Sequence, residues 1–117
     1  MESDSFESIF QESLNALKEY YHPSLLNEKF TKEITIDSFD KKTLLVDFLN
    51  EIIFLINSEK IFPEKVKVLS LKENKGEFLL EGKKYDKIYK DIKAATYHNL
   101  KFEEEKEKIT VEIVFDI

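Results

Sequence analysis

From Ile109 to Asp116 the side chains follow a two-residue period: Ile109, Val111, Ile113 and Phe115 fall on one face, and Thr110, Glu112, Val114 and Asp116 on the other. That period belongs to a strand with one face on a core. The first half of the chain keeps a different rhythm. Phe6, Ile9, Phe10, Leu14, Leu17 and Tyr21 recur at threes and fours, which predicts a helix from about Ser5 to Tyr21. Asp4 with Glu7 reads as a capping-box start, and Pro23 ends the helix. Leu44, Leu45, Phe48, Leu49, Ile52, Leu55 and Ile56 predict a second helix over Lys42 to Ser58, with Asp40 as its cap. Its apolar stripe, interrupted by Asp47, Asn50, Glu51 and Glu59, is wide enough to be covered on more than one side.

Strands fill the remainder. Phe30 to Asp37 alternates. Lys65 to Leu71 alternates and then slips phase at Leu69, the mark of a bulge. Asn74-Lys75-Gly76 signals a turn before a strand at Glu77 to Glu81. Lys83 to Asp91 reads as a Lys- and Tyr-rich loop, Ile92 to His98 and Leu100 to Glu103 as extended, and Glu104 to Lys108 as a charged turn. Helix, strand, helix, then strands gives an α+β domain, two helices packed on a mainly antiparallel sheet, and 117 residues make one domain, 1–117.

Composition removes several function classes. There is no Cys, hence no disulfide, thiolate zinc site or cysteine nucleophile, and two His weigh against a histidine-built metal site. Two Gly cannot make a P-loop or a dinucleotide fingerprint. All 18 basic residues are Lys and the net charge is −6, so the bidentate phosphate and guanine reading that Arg provides is missing. The acidic N-terminus lacks a signal-peptide core, and the longest apolar run, Ile52 to Ile56, is too short to span a membrane. The expectation is a cytoplasmic protein that meets no membrane.

Two segments carry unusual chemistry. In Ile92-Lys93-Ala94-Ala95-Thr96-Tyr97-His98, strand geometry sets Lys93, Ala95 and Tyr97 on one face and Ala94, Thr96 and His98 on the other. Paired alanines leave room for another group to approach the backbone. The functional reading is a polar site floored by alanines with Lys93 as a point charge; the bland reading is an edge strand with an exposed Lys. The second segment is Val114-Phe115-Asp116-Ile117, whose carboxylate and carbonyl oxygens suit a hard cation once a third ligand joins them. The bland reading is a solvated strand end. Lys83, Lys84, Lys87 and Lys90 form a basic cluster, read most simply as a solvated loop.

The same two segments resemble the archease family. Ile92 to His98 is similar to that family's VKAxTYH signature, and Asp116-Ile117 to its closing DI. Leu44 to Phe54 is similar to its LLxxFLNELLY helix, and Phe6 to Phe10 to its LEELF helix start. The family pattern opens with a strand carrying an HTAD motif; only five residues precede Phe6 here, so the expectation is a member without that strand and its aspartate.

The resemblance implies an α+β fold related to the chaperone Hsp33. It implies an accessory protein rather than an enzyme, which helps an RtcB-type RNA ligase to seal tRNA halves by promoting its guanylylation and multiple turnover. By carry-over, Lys93 and Asp116 act at a tip that enters the ligase active site, and Thr96 and His98 support it. Asp116 and Ile117 hold a divalent cation (Ca²⁺, Mn²⁺ or Mg²⁺), one family ligand being absent. The ligase is the partner and RNA is met only through it; the vacant sheet edge suits a second copy, a homo-oligomer. The alternative is a non-catalytic protein-binding or chaperone-like module of the same fold.

Overall fold

A computed structural model describes residues 1–117. The elements in order are β1 (Glu2–Ser3), α1 (Phe6–Tyr21), β2 (Ser24–Asp37), α2 (Lys41–Glu59), β3 (Ile61–Leu71), β4 (Lys75–Lys87), β5 (Ala94–Glu105) and β6 (Lys108–Asp116). Every strand pairing is antiparallel. The strands form two sheets of three, ordered β2-β4-β3 and β1-β6-β5, where the sequence suggested a single sheet.

Side chains of the two helices bond to one edge strand of each sheet. β3 and β5 are edge strands, and an uncovered edge exposes unpaired N–H and C=O groups. Gln11 of α1 covers β3: its Nε2 donates to the Glu64 carbonyl and its Oε1 accepts from the Val66 N–H, both at 2.9 Å. Asn50 of α2 does the same for β5. Each primary amide carries a donor and an acceptor, as a peptide group does, so each helix stands where a neighbouring strand could have been.

Both helices form where their periodicity predicted, with one change of cap. Ser5 Oγ accepts from the Ser8 N–H at 3.1 Å and is the N-cap of α1. Asp4 lies one residue too early and accepts from Ser8 Oγ instead. The helix ends at His22 in the left-handed conformation (φ 47°), just before Pro23. In α2, Asp40 Oδ1 accepts from the Thr43 N–H at 2.9 Å while Thr43 Oγ1 accepts from the Asp40 N–H at 3.0 Å, a complete capping box.

One core joins the helices to both sheets. Phe10 of α1, Phe48 of α2 and Phe78 of β4 meet at its centre, with ring centroids 4.7–5.0 Å apart. All three are fully buried. Such pairs contribute about 1 kcal/mol each beyond the area they remove from water. The breadth of the α2 stripe has its reason here, since nine of its residues, from Leu44 to Ile56, are buried.

Two readings of strand detail have clear outcomes. Leu69 is the bulge residue: Val68 pairs with Phe78 and Ser70 with Glu77, leaving Leu69 unpaired. The expected loop at Lys83 to Asp91 is corrected, because Lys83–Lys87 continues β4 and pairs with β2 and β3. Tyr85 holds it there, buried, with its hydroxyl donating to the Ile56 carbonyl at 2.5 Å. Lysines next to it take the exposed positions and hid the strand signal.

Candidate functional site

The site is built on the β5–β6 pair. Ala94 lies opposite Asp116, Ala95 opposite Phe115 and Thr96 opposite Val114. One step before this register, the Lys93 N–H donates to the Asp116 carbonyl at 2.7 Å. The alternation of β6 turns Ile113, Phe115 and Ile117 toward an apolar groove of about 560 Å³ that also touches Leu17 and Tyr20 of α1. Asp116, between two groove residues, therefore points to the opposite side. Lys93 and Asp116 are both exposed, and neither takes part in an ion pair. The sequence-predicted lysine and aspartate thus share one end of one strand pair.

Thr96 and His98 do not stand together there. Thr96 Oγ1 donates to the Val114 carbonyl at 2.9 Å, bracing the pair from inside. Beyond it the register breaks: four residues of β5, Tyr97 to Leu100, lie opposite Ile113 alone before Lys101 meets Glu112. Asn99 takes a left-handed conformation (φ 51°) within this bulge. The bulge interrupts the expected alternation, so His98 is exposed and makes no side-chain hydrogen bond, and Tyr97 swings toward α2. Simple period-two counting could not see the insertion.

Helix α2 supplies what the sequence reading lacked. Asn50 Oδ1 accepts from the Ala95 N–H at 2.7 Å, and Asn50 Nδ2 donates to the Ala95 carbonyl at 3.0 Å. Asn57 Nδ2 donates to the Ile92 carbonyl at 3.0 Å. Asp47 accepts from the Tyr97 hydroxyl and from Ser38 Oγ. Burial, the hydrogen bond to Asp47 and the Asp47 charge together push the Tyr97 phenol up to about 12. The group that approaches the paired alanines is therefore an asparagine of this chain. The signal was present as polar residues at 47 and 50 inside an apolar helix stripe, with Asn57 one heptad beyond Asn50.

The donors for a divalent cation are of the right kind and too few. Asp116 offers a carboxylate, but its carbonyl already accepts from Lys93. No group of three or more His, Cys, Asp or Glu side chains converges anywhere in the chain. A hard cation takes six or more oxygens, so these residues do not by themselves fit one. No helix is long and apolar enough to cross a membrane. Of the basic cluster, Lys84 pairs with Glu28 at 3.0 Å and Lys90 lies 4.9 Å from the Tyr20 ring centroid.

Comparison with known proteins places this architecture. The family model described as Archease protein family (MTH1598/TM1083) matches residues 1–117. A curated relative from Pyrobaculum islandicum, Protein archease, is 30% identical over 123 residues, covering 97% of this chain and 83% of its own length. The crystal structure of an archease, possible chaperone, from Thermotoga maritima superimposes with a TM-score of 0.75 at 28% identity over 100% of this chain and 87% of that one. The solution structure of protein 1598 from Methanobacterium thermoautotrophicum shares the fold, with a TM-score of 0.67 at 21% identity over 99% of this chain and 88% of that one. With two helices, two antiparallel sheets and a whole-length family match, the chain belongs to the archease family.

Proposed function

We propose that this archease is an accessory activator of an RtcB-type RNA-splicing ligase, and that it acts through the end of the β5–β6 pair without performing a reaction of its own. The observation that supports the reading is the 2.7 Å hydrogen bond from the Lys93 N–H to the Asp116 carbonyl, which brings these two exposed residues to one end of the β5–β6 pair. An ammonium brought beside a bound nucleoside triphosphate stabilises the charge that develops as the ligase takes up guanylate. A carboxylate beside it orients the lysine or a metal already held by the ligase. The net charge of −6 favours encounter with a basic, RNA-binding partner. A divalent cation at Asp116 and Ile117 belongs to this reading only in company with oxygens from the ligase or its nucleotide.

The test mixes the purified chain with an RtcB-type ligase, GTP, Mn²⁺ and cleaved tRNA halves. The expected result is faster ligase guanylylation and more than one ligation per ligase molecule. Unchanged guanylylation and turnover would remove the proposal. A second reading, a chaperone-like module, draws on the description of the Thermotoga relative as a possible chaperone. It predicts suppressed aggregation of a heat-unfolded client with no effect on ligation.

A further inference from the structure

The geometry points to Asn50 as the positioning residue of the end of the β5–β6 pair that carries Lys93 and Asp116. This rests on the ligase-activator reading for its functional half and on hydrogen bonds alone for its structural half. Residues 91–93 lie outside regular structure, between the end of β4 and the start of β5. A lysine on such a segment has no ladder of its own to fix its direction. Three side-chain contacts from α2 replace that ladder. Asn57 holds the Ile92 carbonyl, one residue before Lys93, and Asn50 holds both the N–H and the carbonyl of Ala95, two residues after it. The Asp116 carbonyl holds the Lys93 N–H from the other side. Lys93 is thus suspended between clamped neighbours, and its side chain leaves from a backbone fixed on both edges.

Asparagine is specifically suited to the central clamp. Its amide must donate and accept at once, in one plane, to copy a paired peptide group. An ionised aspartate of the same shape keeps the acceptor for the Ala95 N–H but presents a second oxygen to the Ala95 carbonyl. A protonated aspartate recovers a donor. Ala95 is 4% exposed beneath the helix, and a larger residue there would push α2 away. Asn50 makes its hydrogen bonds to Ala95 and none to Lys93 or Asp116, so its effect on them runs through the backbone.

The experiment compares the full chain with Asn50→Asp and Asn50→Ser. It reads amide protection at Lys93 and Ala95 by nuclear magnetic resonance, helix content by circular dichroism, and ligase guanylylation. Asn50→Asp is expected to fold, to lose roughly tenfold in protection at both amides near neutral pH, and to regain it on acidification as the carboxyl becomes a donor. Asn50→Ser is expected to lose protection at every pH. Both variants are expected to lower maximal guanylylation about tenfold at an unchanged half-saturating concentration of the chain. Full protection of Lys93 and Ala95 in both variants would overturn the clamp. Loss of protection with undiminished guanylylation would overturn its positioning role. If Asn50→Asp does not fold, Asn50→Ser and the Lys93 amide decide the same question. Wild-type protein that fails to activate the ligase removes the function proposed above, while the pH-reversible Lys93 and Ala95 signals still test the clamp.

Discussion

The Lys93 N–H donates to the Asp116 carbonyl at 2.7 Å, yet the two side chains form no ion pair with each other or with any other residue. Backbone pairing brings the two residues to one end of the strand pair, while their charged groups stay too far apart to form an ion pair. Their charges therefore contribute little to folding, since exposed groups without close partners change stability by no more than about 0.5 kcal/mol. Lys93→Ala and Asp116→Ala should each melt within a few degrees of the parent. In the ligase assay each should abolish most of the stimulation, and the double variant should be little worse than either single one. A large fall in melting temperature for either variant would show that the pair holds the fold instead.

Gly82 allows β4 to run between its two neighbours. A methyl group added there would lie 2.1 Å from the Phe62 carbonyl oxygen and 2.8 Å from the Phe30 ring. The first obstacle is backbone and cannot rotate away. Gly82 pairs with Phe30 of β2 and Pro63 of β3, and relief requires parting the central strand from β3, where the backbone obstacle lies. Gly82→Ala should cost about 2–3 kcal/mol or more, in the range of overpacked cores, measured as a lower midpoint in chemical denaturation. An unchanged midpoint would contradict the close approach.

How much of this was legible depended on range. Both helices could be read because their partners lie three and four residues away, and Asp40 was identifiable as a cap because Thr43 is local. β6 could be read because Ile109 and Val111 are buried on one face and Ile113 and Phe115, half-buried, continue it. The second half of β4 could not, since Lys83, Lys84 and Lys87 surround the buried Tyr85 and imitate a loop. The pairing of Lys93 with Asp116 rested on the family resemblance and not on spacing, because 23 positions separate them (116 minus 93). The Asn50 clamp spans 45 positions, and a polar residue in an apolar stripe says that a partner exists without saying where. The bulge at Tyr97 to Leu100 was legible only as a break at Asn99 between two extended stretches, because nothing local says that four residues will lie opposite Ile113 alone.

Two buried tyrosines give a matched pair of tests. Tyr21 is fully buried; its hydroxyl makes no hydrogen bond of normal geometry, and the Ile92 N–H that faces it only partly offsets the effect of burial. Burial, with the Asp91 charge, pushes that phenol up to about 12. Tyr85 is also buried, but its hydroxyl donates to the Ile56 carbonyl at 2.5 Å. Removing an unpaired buried hydroxyl removes a desolvation penalty, while removing a paired one strands its acceptor. Tyr21→Phe should leave stability unchanged or raise it by up to about 1 kcal/mol, and Tyr85→Phe should lower it by about 1–2 kcal/mol. Equal losses from both substitutions, in parallel denaturation curves, would show that the Tyr21 hydroxyl makes a full hydrogen bond after all.

Tyr97 makes the α2–β5 contact sensitive to alkali. Its neutral phenol donates to Asp47, and burial together with that carboxylate raises its pKa from 10.0 to about 12. The folded-state value lies above the unfolded one, so the contribution is fully present below pH 10 and disappears as pH rises through about 12. The phenolate that then forms faces the Asp47 carboxylate, and the contact turns repulsive. Tyr97→Phe lacks both the bond and the ionisation. Near neutral pH the parent should melt above this variant, and the gap should close between pH 10 and pH 12. Tyr21 and Tyr85 are raised as well, so both proteins will lose stability in that window. The informative quantity is therefore the difference between them, not either curve alone. A gap that stayed constant across the window would mean that the Tyr97 hydroxyl does not donate to Asp47. The bulge at Tyr97 to Leu100 would then need another anchor on α2.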